Sequence, residues 1–188
     1  MRHLGLSGRA QAGKDTVADI LTQRYGFRRY ALADPLREMA LDIDPPIAWN
    51  VVLNEPVRLA DAVRKLGWEV VKRSYPEARR FLQRLGTEGV RDHVGQDYWT
   101  NLGQQHIERS NQPVVITDVR FPEERDMVRR KGGLWVWIER PGENPAAGHQ
   151  SEGALDPEQA DLVVVNDGSI DELSTAVDAL MLQASRSV

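Results

Sequence analysis

The feature that most constrains this chain lies near its start. In Gly8-Arg-Ala-Gln-Ala-Gly13-Lys14, two glycines frame four residues and a lysine follows the second glycine directly. The run Leu4-Gly-Leu-Ser7 before it has the length and apolarity of a buried strand. After it, Val17, Ile20, Leu21 and Tyr25 recur at helical spacing. A strand that turns through glycines into a helix can point successive backbone N–H groups inward as an anion cradle. The positive end of the helix dipole points at the same place. The spacing is that of a phosphate-binding loop, in which Lys14 reaches the β- and γ-phosphates of a nucleoside triphosphate.

One position departs from the common form of this loop. Ser or Thr usually follows the lysine and offers a hydroxyl to Mg²⁺. Here Asp15 follows, with Thr16 next. An acid in the first helical turn suits the dipole, and Asp15 could hold Mg²⁺ through a water. Small nucleotide kinases share this arrangement more than GTPases do, and in that reading Thr16 donates to the α-phosphate.

The rest of the chain predicts strand–helix alternation. Strands are expected at Leu4–Ser7, Phe27–Leu32, Pro113–Thr117, Leu134–Glu139 and Asp161–Val165. Helices are expected at Lys14–Tyr25, closed by Gly26, and from Pro35. Val57–Arg109 reads as mostly helical. Glu123–Lys131, stopped by Gly132-Gly133, and Ile170–Leu182 complete the set. This pattern implies a five-stranded parallel sheet with helices on both faces, a three-layer α/β/α fold. Asp42–Pro56, with Pro45, Pro46 and Pro56, reads as irregular, and Arg140–Gly153 as linker-like.

Composition narrows the function. The 188 residues carry a net charge of −4 and no cysteine. That suits one domain with a real core. It excludes a disulfide scaffold, thiol catalysis and cysteine-ligated metal. Mild acidity argues against a nucleic-acid coat. No run approaches the roughly 20 apolar residues of a membrane span, and the start is too short for a signal peptide. The expectation is a soluble cytoplasmic protein whose partners are small molecules, with no nucleic acid and no membrane; a homodimer is left open. The basic residues divide into 20 Arg and 4 Lys. Base composition can produce that bias, but Arg is also the residue whose planar fork grips phosphates.

Two further clusters carry chemistry. Val114-Val-Ile-Thr-Asp118-Val-Arg120 ends a buried strand with an acid, and ligands of open parallel sheets bind at such carboxyl ends. Asp118 either orients groups near the phosphate loop or simply precedes the helix opened by Pro122. Arg120 points the same way two residues later. In Arg79-Arg-Phe-Leu-Gln-Arg-Leu-Gly86, Arg79 and Gln83 share a helix face and Gly86 marks the expected helix end. The choice there is between a solvated charged face and the wall of an acceptor pocket.

At this point the chain resembles the deoxynucleoside monophosphate kinases of bacteriophages, relatives in fold of adenylate and guanylate kinases. The resemblance runs in order through nearly the whole chain. It begins with Leu6-Ser-Gly8 and Gly13-Lys-Asp-Thr16, then Ala31-Leu-Ala33 and Pro35-Leu-Arg37. It continues with Arg79-Arg-Phe-Leu-Gln83, Leu85-Gly-Thr87 and Tyr98-Trp99. It ends with Asp118, Arg120 and Glu124, then Arg140-Pro-Gly142, His149 with Glu152, and Asp161–Ser169.

The resemblance implies a P-loop NTPase fold of the nucleoside monophosphate kinase type. It also implies transfer of the γ-phosphoryl group of ATP, with Mg²⁺, to a deoxynucleoside monophosphate. By it, Gly8, Ala10, Ala12, Gly13, Lys14, Asp15 and Thr16 hold ATP, with Asn166 and Gly168 at the adenine. Leu36, Arg37, Arg79, Gln83, Gly86, Thr87 and Trp99 bind the acceptor. Asp118, Arg120 and Glu124 shape the acceptor side of the reaction centre. Lys14, Arg120 and Asp118 are the expected catalytic groups, and Asp15 the expected metal contact. The single domain 1–188 would then carry a helical acceptor-binding insertion at about 36–110 and a lid loop at 140–153. Two alternatives stay open. One is another small kinase of this fold, for dephospho-coenzyme A or phosphomevalonate. The other is a nucleotide-binding regulatory module without transfer activity.

Overall fold

A computed structural model describes residues 1–142 and 155–186. The elements run in the order β1 (Leu4–Ser7), α1 (Lys14–Tyr25), β2 (Arg28–Tyr30), α2 (Asp34–Ile43), β3 (Pro46–Asn50) and β4 (Glu55–Arg58). Next come α3 (Leu59–Leu66), α4 (Trp68–Ser74), α5 (Pro76–Arg84), a wide-turned π-helical stretch Leu85–Arg91, and α6 (Tyr98–Arg109). The chain continues with β5 (Val114–Ile116), α7 (Pro122–Arg130), β6 (Leu134–Glu139), β7 (Leu162–Val165) and α8 (Ile170–Arg186). Two compact units emerge: Met1–Leu32 with Thr100–Val188, and Ala33–Trp99.

The larger unit holds the expected sheet. Its five strands are all parallel, in the order β2-β5-β1-β6-β7. Period-two alternation divides their side chains between two cores. Leu4, Leu6, Val115, Leu134, Val136 and Ile138 face α1 and α8, meeting Val17, Leu21, Leu173, Val177 and Leu180. Val114, Ile116, Trp135 and Trp137 face the other way, against Ile107, Met127 and Val128. Gly5 lies on that second face, where an added Cβ would stand 2.9 Å from a Val128 methyl. Its missing side chain lets α7 approach β1.

Local signals in the sequence account for several boundaries. Gly26 closes α1 in the left-handed conformation, with φ 70° and its N–H on the Leu21 carbonyl. α8 opens with a reciprocal cap. Ser169 Oγ accepts the Glu172 N–H at 3.3 Å, and the Glu172 carboxylate accepts the Ser169 N–H at 2.7 Å. These contacts hold the Glu172 pKa below its usual value, the backbone hydrogen bond first and the Ser169 hydroxyl second.

The smaller unit packs Ala40, Ile47, Leu59, Ala62, Val71 and Ala78 into its own core. Two expectations are corrected there. Asp42–Pro56 is not irregular: α2 runs through Ile43, and β3 and β4 form an antiparallel hairpin. Each strand of a two-stranded ribbon has a free edge, the setting in which a strand tolerates proline. Nor does Gly86 end the helix begun by Pro76. The chain stays helical through Arg91, and Gly86 has no positive φ. Its role is packing, because a Cβ there would meet Leu36 Cδ2 at 3.1 Å. The expected lid loop lies, from residue 143 onward, outside the described residues. Among the described residues no helix is long and apolar enough to cross a membrane.

Candidate active site

In the strand order β2-β5-β1-β6-β7, the chain leaves β1 for one side of the sheet and β5 for the other. The carboxyl ends of β1 and β5 therefore form the crevice where open α/β sheets bind ligands. The Gly8–Gly13 loop follows β1, and Asp118 follows β5.

Backbone geometry makes the loop. Gly8, Gln11 and Gly13 have φ values of 146°, 64° and 98°. A Cβ at Gly8 would lie 2.4 Å from the Ile138 carbonyl oxygen, and one at Gly13 would lie 2.4 Å from Asn166 Nδ2. Glycine is required at both positions by close approach as well as by torsion. Asn166 is buried at the end of β7, and its Nδ2 donates to the Ala12 carbonyl at 2.9 Å. Its own N–H is held by the Glu139 carbonyl at 2.7 Å. One side chain thus ties the loop to the sheet.

Lys14 Nζ donates to the Gly8 and Arg9 carbonyls, each at 2.7 Å. Beside it opens a cavity of about 360 Å³ lined by Gln11, Gly13, Lys14, Asp15, Thr16, Arg140, Asn166, Gly168, Ile170 and Leu173. The Asp15 carboxylate is paired with Arg29 of β2, which also reaches Asp19 at 2.8 Å.

Around Asp118 a buried chain of hydrogen bonds sets the backbone. Trp135 Nε1 donates to Ser7 Oγ at 2.7 Å, and Ser7 Oγ donates to the Val119 carbonyl at 2.6 Å. The Val119 N–H returns to the Leu6 carbonyl. Asp118 Oδ1 accepts the Leu32 N–H at 2.7 Å. Glu124 is buried, and its Oε2 accepts the N–H groups of Arg120 and Phe121 at 2.7 and 3.1 Å. It caps α7 and fixes the backbone of Arg120, an exposed residue that makes no ion pair among the described residues.

Of the expected acceptor residues, Asp118, Arg120 and Glu124 lie in the larger unit, and Leu36, Arg37, Arg79, Gln83, Gly86, Thr87 and Trp99 in the smaller one. Leu36, Gly86 and Trp99 come together there: Leu36 covers Gly86, and Trp99 Nε1 donates to the Gly86 carbonyl at 3.2 Å. Arg37 pairs with Asp34 at 3.1 Å. Arg79 and Gln83 are exposed on α5, and Thr87 is exposed one turn beyond. Arg80 pairs with Glu77 and Arg84 with Glu88, whereas Arg79 makes no ion pair among the described residues.

Two residues beside the loop had no site role assigned from sequence, although Arg140 is part of the resemblance. Arg140 lines the cavity and its Nη1 donates to the Gln11 carbonyl at 3.4 Å. Its position just past the carboxyl end of β6 is the signal that could have found it. Arg29 had no such signal, because nothing in a chain rich in arginine shows which one meets Asp15.

A parallel sheet with this strand order, carrying a glycine loop and its lysine at the switch point, defines a phosphate-loop kinase fold. Dephospho-CoA kinase from Campylobacter jejuni has that fold, with a TM-score of 0.51 over 99% of this chain and 98% of its own at 14% identity. Within that class, the family described as deoxynucleotide monophosphate kinase matches residues 58–177. The chain belongs to this family, and so is an ATP-dependent phosphotransferase acting on deoxynucleoside monophosphates. The deoxynucleotide monophosphate kinase of Enterobacteria phage T4 is 23% identical, over 94% of this chain and 97% of its own. The deoxynucleoside-5'-monophosphate kinase of Escherichia phage T5 is 28% identical, over 70% of this chain and 73% of its own.

Proposed function

We propose that the Gly8–Gly13 loop and Lys14 hold the triphosphate of ATP, and that its γ-phosphoryl group passes to the phosphate of a deoxynucleoside monophosphate held by the Ala33–Trp99 unit. The observation that carries this reading is the loop itself: glycine-enforced torsions beside a helix N-terminus, with a lysine at the edge of a cavity of about 360 Å³. A cradle of backbone N–H groups suits an anion, and the buried Asn166 keeps it formed before any ligand arrives.

The donor set also fits a magnesium nucleotide. Mg²⁺ keeps several waters and takes most remaining ligands from phosphates, so it needs few protein groups. Asp15, through water, is the group that would hold it, with Thr16 left to the α-phosphate; no cluster of three metal-binding side chains occurs among the described residues. When bound, the ion neutralises phosphate charge.

Transfer between phosphates needs alignment and charge compensation more than a base, because the acceptor oxygen is already anionic. Lys14 leaves the Gly8 and Arg9 carbonyls for the β- and γ-phosphates. Arg120, aimed by the Glu124 cap, compensates the migrating phosphoryl group, and Asp118 orients that segment through the Leu32 N–H. Arg79 takes the acceptor phosphate, assisted by Arg37 and Gln83, while Leu36, Gly86, Thr87 and Trp99 line the nucleoside pocket. Asn166 and Gly168 contact the adenine. The Ala33–Trp99 unit serves as the acceptor-binding insertion, and the protein works in a cytoplasmic setting where ATP and Mg²⁺ are present.

ADP release, coupled to a reporter, tests the reading over the four common deoxynucleoside monophosphates, their ribonucleotide counterparts, dephospho-coenzyme A and phosphomevalonate. Turnover is expected with at least one deoxynucleoside monophosphate. Turnover with dephospho-coenzyme A or phosphomevalonate alone would overturn it.

A further inference from the structure

A carboxylate at the edge of an anion cavity is an electrostatic liability. Asp15 is the second residue of α1 and lines the cavity that also holds Lys14. Asp19 follows one turn later on the same helix face, where two like charges oppose each other. Both are answered from outside the helix. Arg29, on the edge strand β2, places Nη2 on Asp15 Oδ1 and Nη1 on Asp19 Oδ1, the latter at 2.8 Å. A planar guanidinium can span the two carboxylates with separate nitrogens, which a lysine ammonium cannot do in the same geometry.

We propose that Arg29 is a positioning residue for the phosphate loop: in the metal-free protein it holds the Asp15 carboxylate toward β2 rather than over the loop amides. The inference rests on the phosphate-loop reading above. Arg29 touches neither the loop amides nor Lys14, so it acts through Asp15. The Asp15 side chain is 79% exposed and that of Arg29 40% exposed. Ion pairs this open add little to fold stability. The effect of the fork therefore falls on where a negative charge stands relative to a bound phosphate. With Arg29 absent, the Asp15 carboxylate is free to swing over the cradle, where it repels phosphate and competes for Lys14.

Isothermal titration of the full chain with ADP in excess EDTA tests this without the metal. Arg29→Ala is expected to weaken ADP binding roughly three- to tenfold, the scale of one charge a few ångströms away in a solvent-exposed site. Adding Asp15→Asn to it should restore binding to the wild-type level or better. Asp15→Asn alone should tighten metal-free ADP binding. A double variant as weak as Arg29→Ala would overturn the proposal. So would weaker metal-free binding in Asp15→Asn, a measurement that stands even if Arg29→Ala does not fold. Wild-type protein that binds no ADP would overturn the phosphate-loop reading itself. Wild-type binding with no effect of Arg29→Ala would overturn only the role given to Arg29.

Discussion

Lys14 donates to two carbonyls of the loop it belongs to, at 2.7 Å each. Those contacts park a charge that a bound triphosphate would draw off. Lys14→Ala therefore keeps the fold and loses the function: turnover is expected to fall by roughly 10²–10³-fold, with an unchanged circular dichroism spectrum as the control. Near-full activity would refute the assignment of the loop. Gly13 is the opposite case, a position where adding atoms does the damage. Its φ of 98° and the 2.4 Å approach of Asn166 Nδ2 leave no room for a methyl group. Gly13→Ala should cost about 1–3 kcal/mol in chemical denaturation and weaken ADP binding. A variant as stable as wild type would mean that the loop relaxes at no cost.

At the level of elements, α5 shows how a helix can be both scaffold and contact surface. Ala78 is buried and Phe81 and Leu82 are half-buried in the core of the smaller unit. Arg79, on the exposed side, is left without an ion pair among the described residues while Arg80 and Arg84 have theirs. Arg79→Ala should raise the KM for the monophosphate about tenfold, the worth of one charge-assisted contact, and leave the KM for ATP within twofold. Equal effects on both constants would make Arg79 a structural residue.

The elements also differ in how far the sequence announced them. The buried strands and α1 were legible because glycine signals and apolar runs coincide there. Leu134–Ile138 shows this directly: one unbroken apolar run supplies both cores of the sheet. The β3–β4 hairpin was not legible, because three prolines argue against strands unless the ribbon is known to have open edges. Gly86 misled for a related reason. A glycine near a helix end reads as a stop signal, and only the Leu36 side chain against it reveals a packing role. In the loop, sequence spacing located Lys14 and its neighbours. The Asp15–Arg29 pair joins α1 to β2 across the sheet edge, and such a pairing has no signature along the chain.

For the whole molecule, the parallel sheet is also where pH enters stability. His3 precedes β1, and its Nδ1 accepts the Val114 N–H of β5 at 3.0 Å, a contact that only an unprotonated nitrogen can make. Burial first, and the nearby terminal ammonium second, depress its pKa below the usual 6.5. With the folded value lower than the unfolded one, this contribution is complete above pH 6.5 and is lost as pH falls from there toward the folded value. Thermal midpoints measured from pH 7.5 to 5.0 should decline through that window, and His3→Asn should flatten the decline. Parallel curves for the two proteins would remove His3 as the cause.

The division of the chain has a consequence for how such an enzyme can change. Ala33–Trp99 is one uninterrupted stretch, entered after β2 and left within α6, while all five parallel strands belong to the other unit. Strand order, register and the anion cradle are therefore written in different residues from those proposed to choose the acceptor. A new preference for a base could arise by exchanging a single stretch with two junctions, and the machinery that handles the nucleoside triphosphate would be inherited intact.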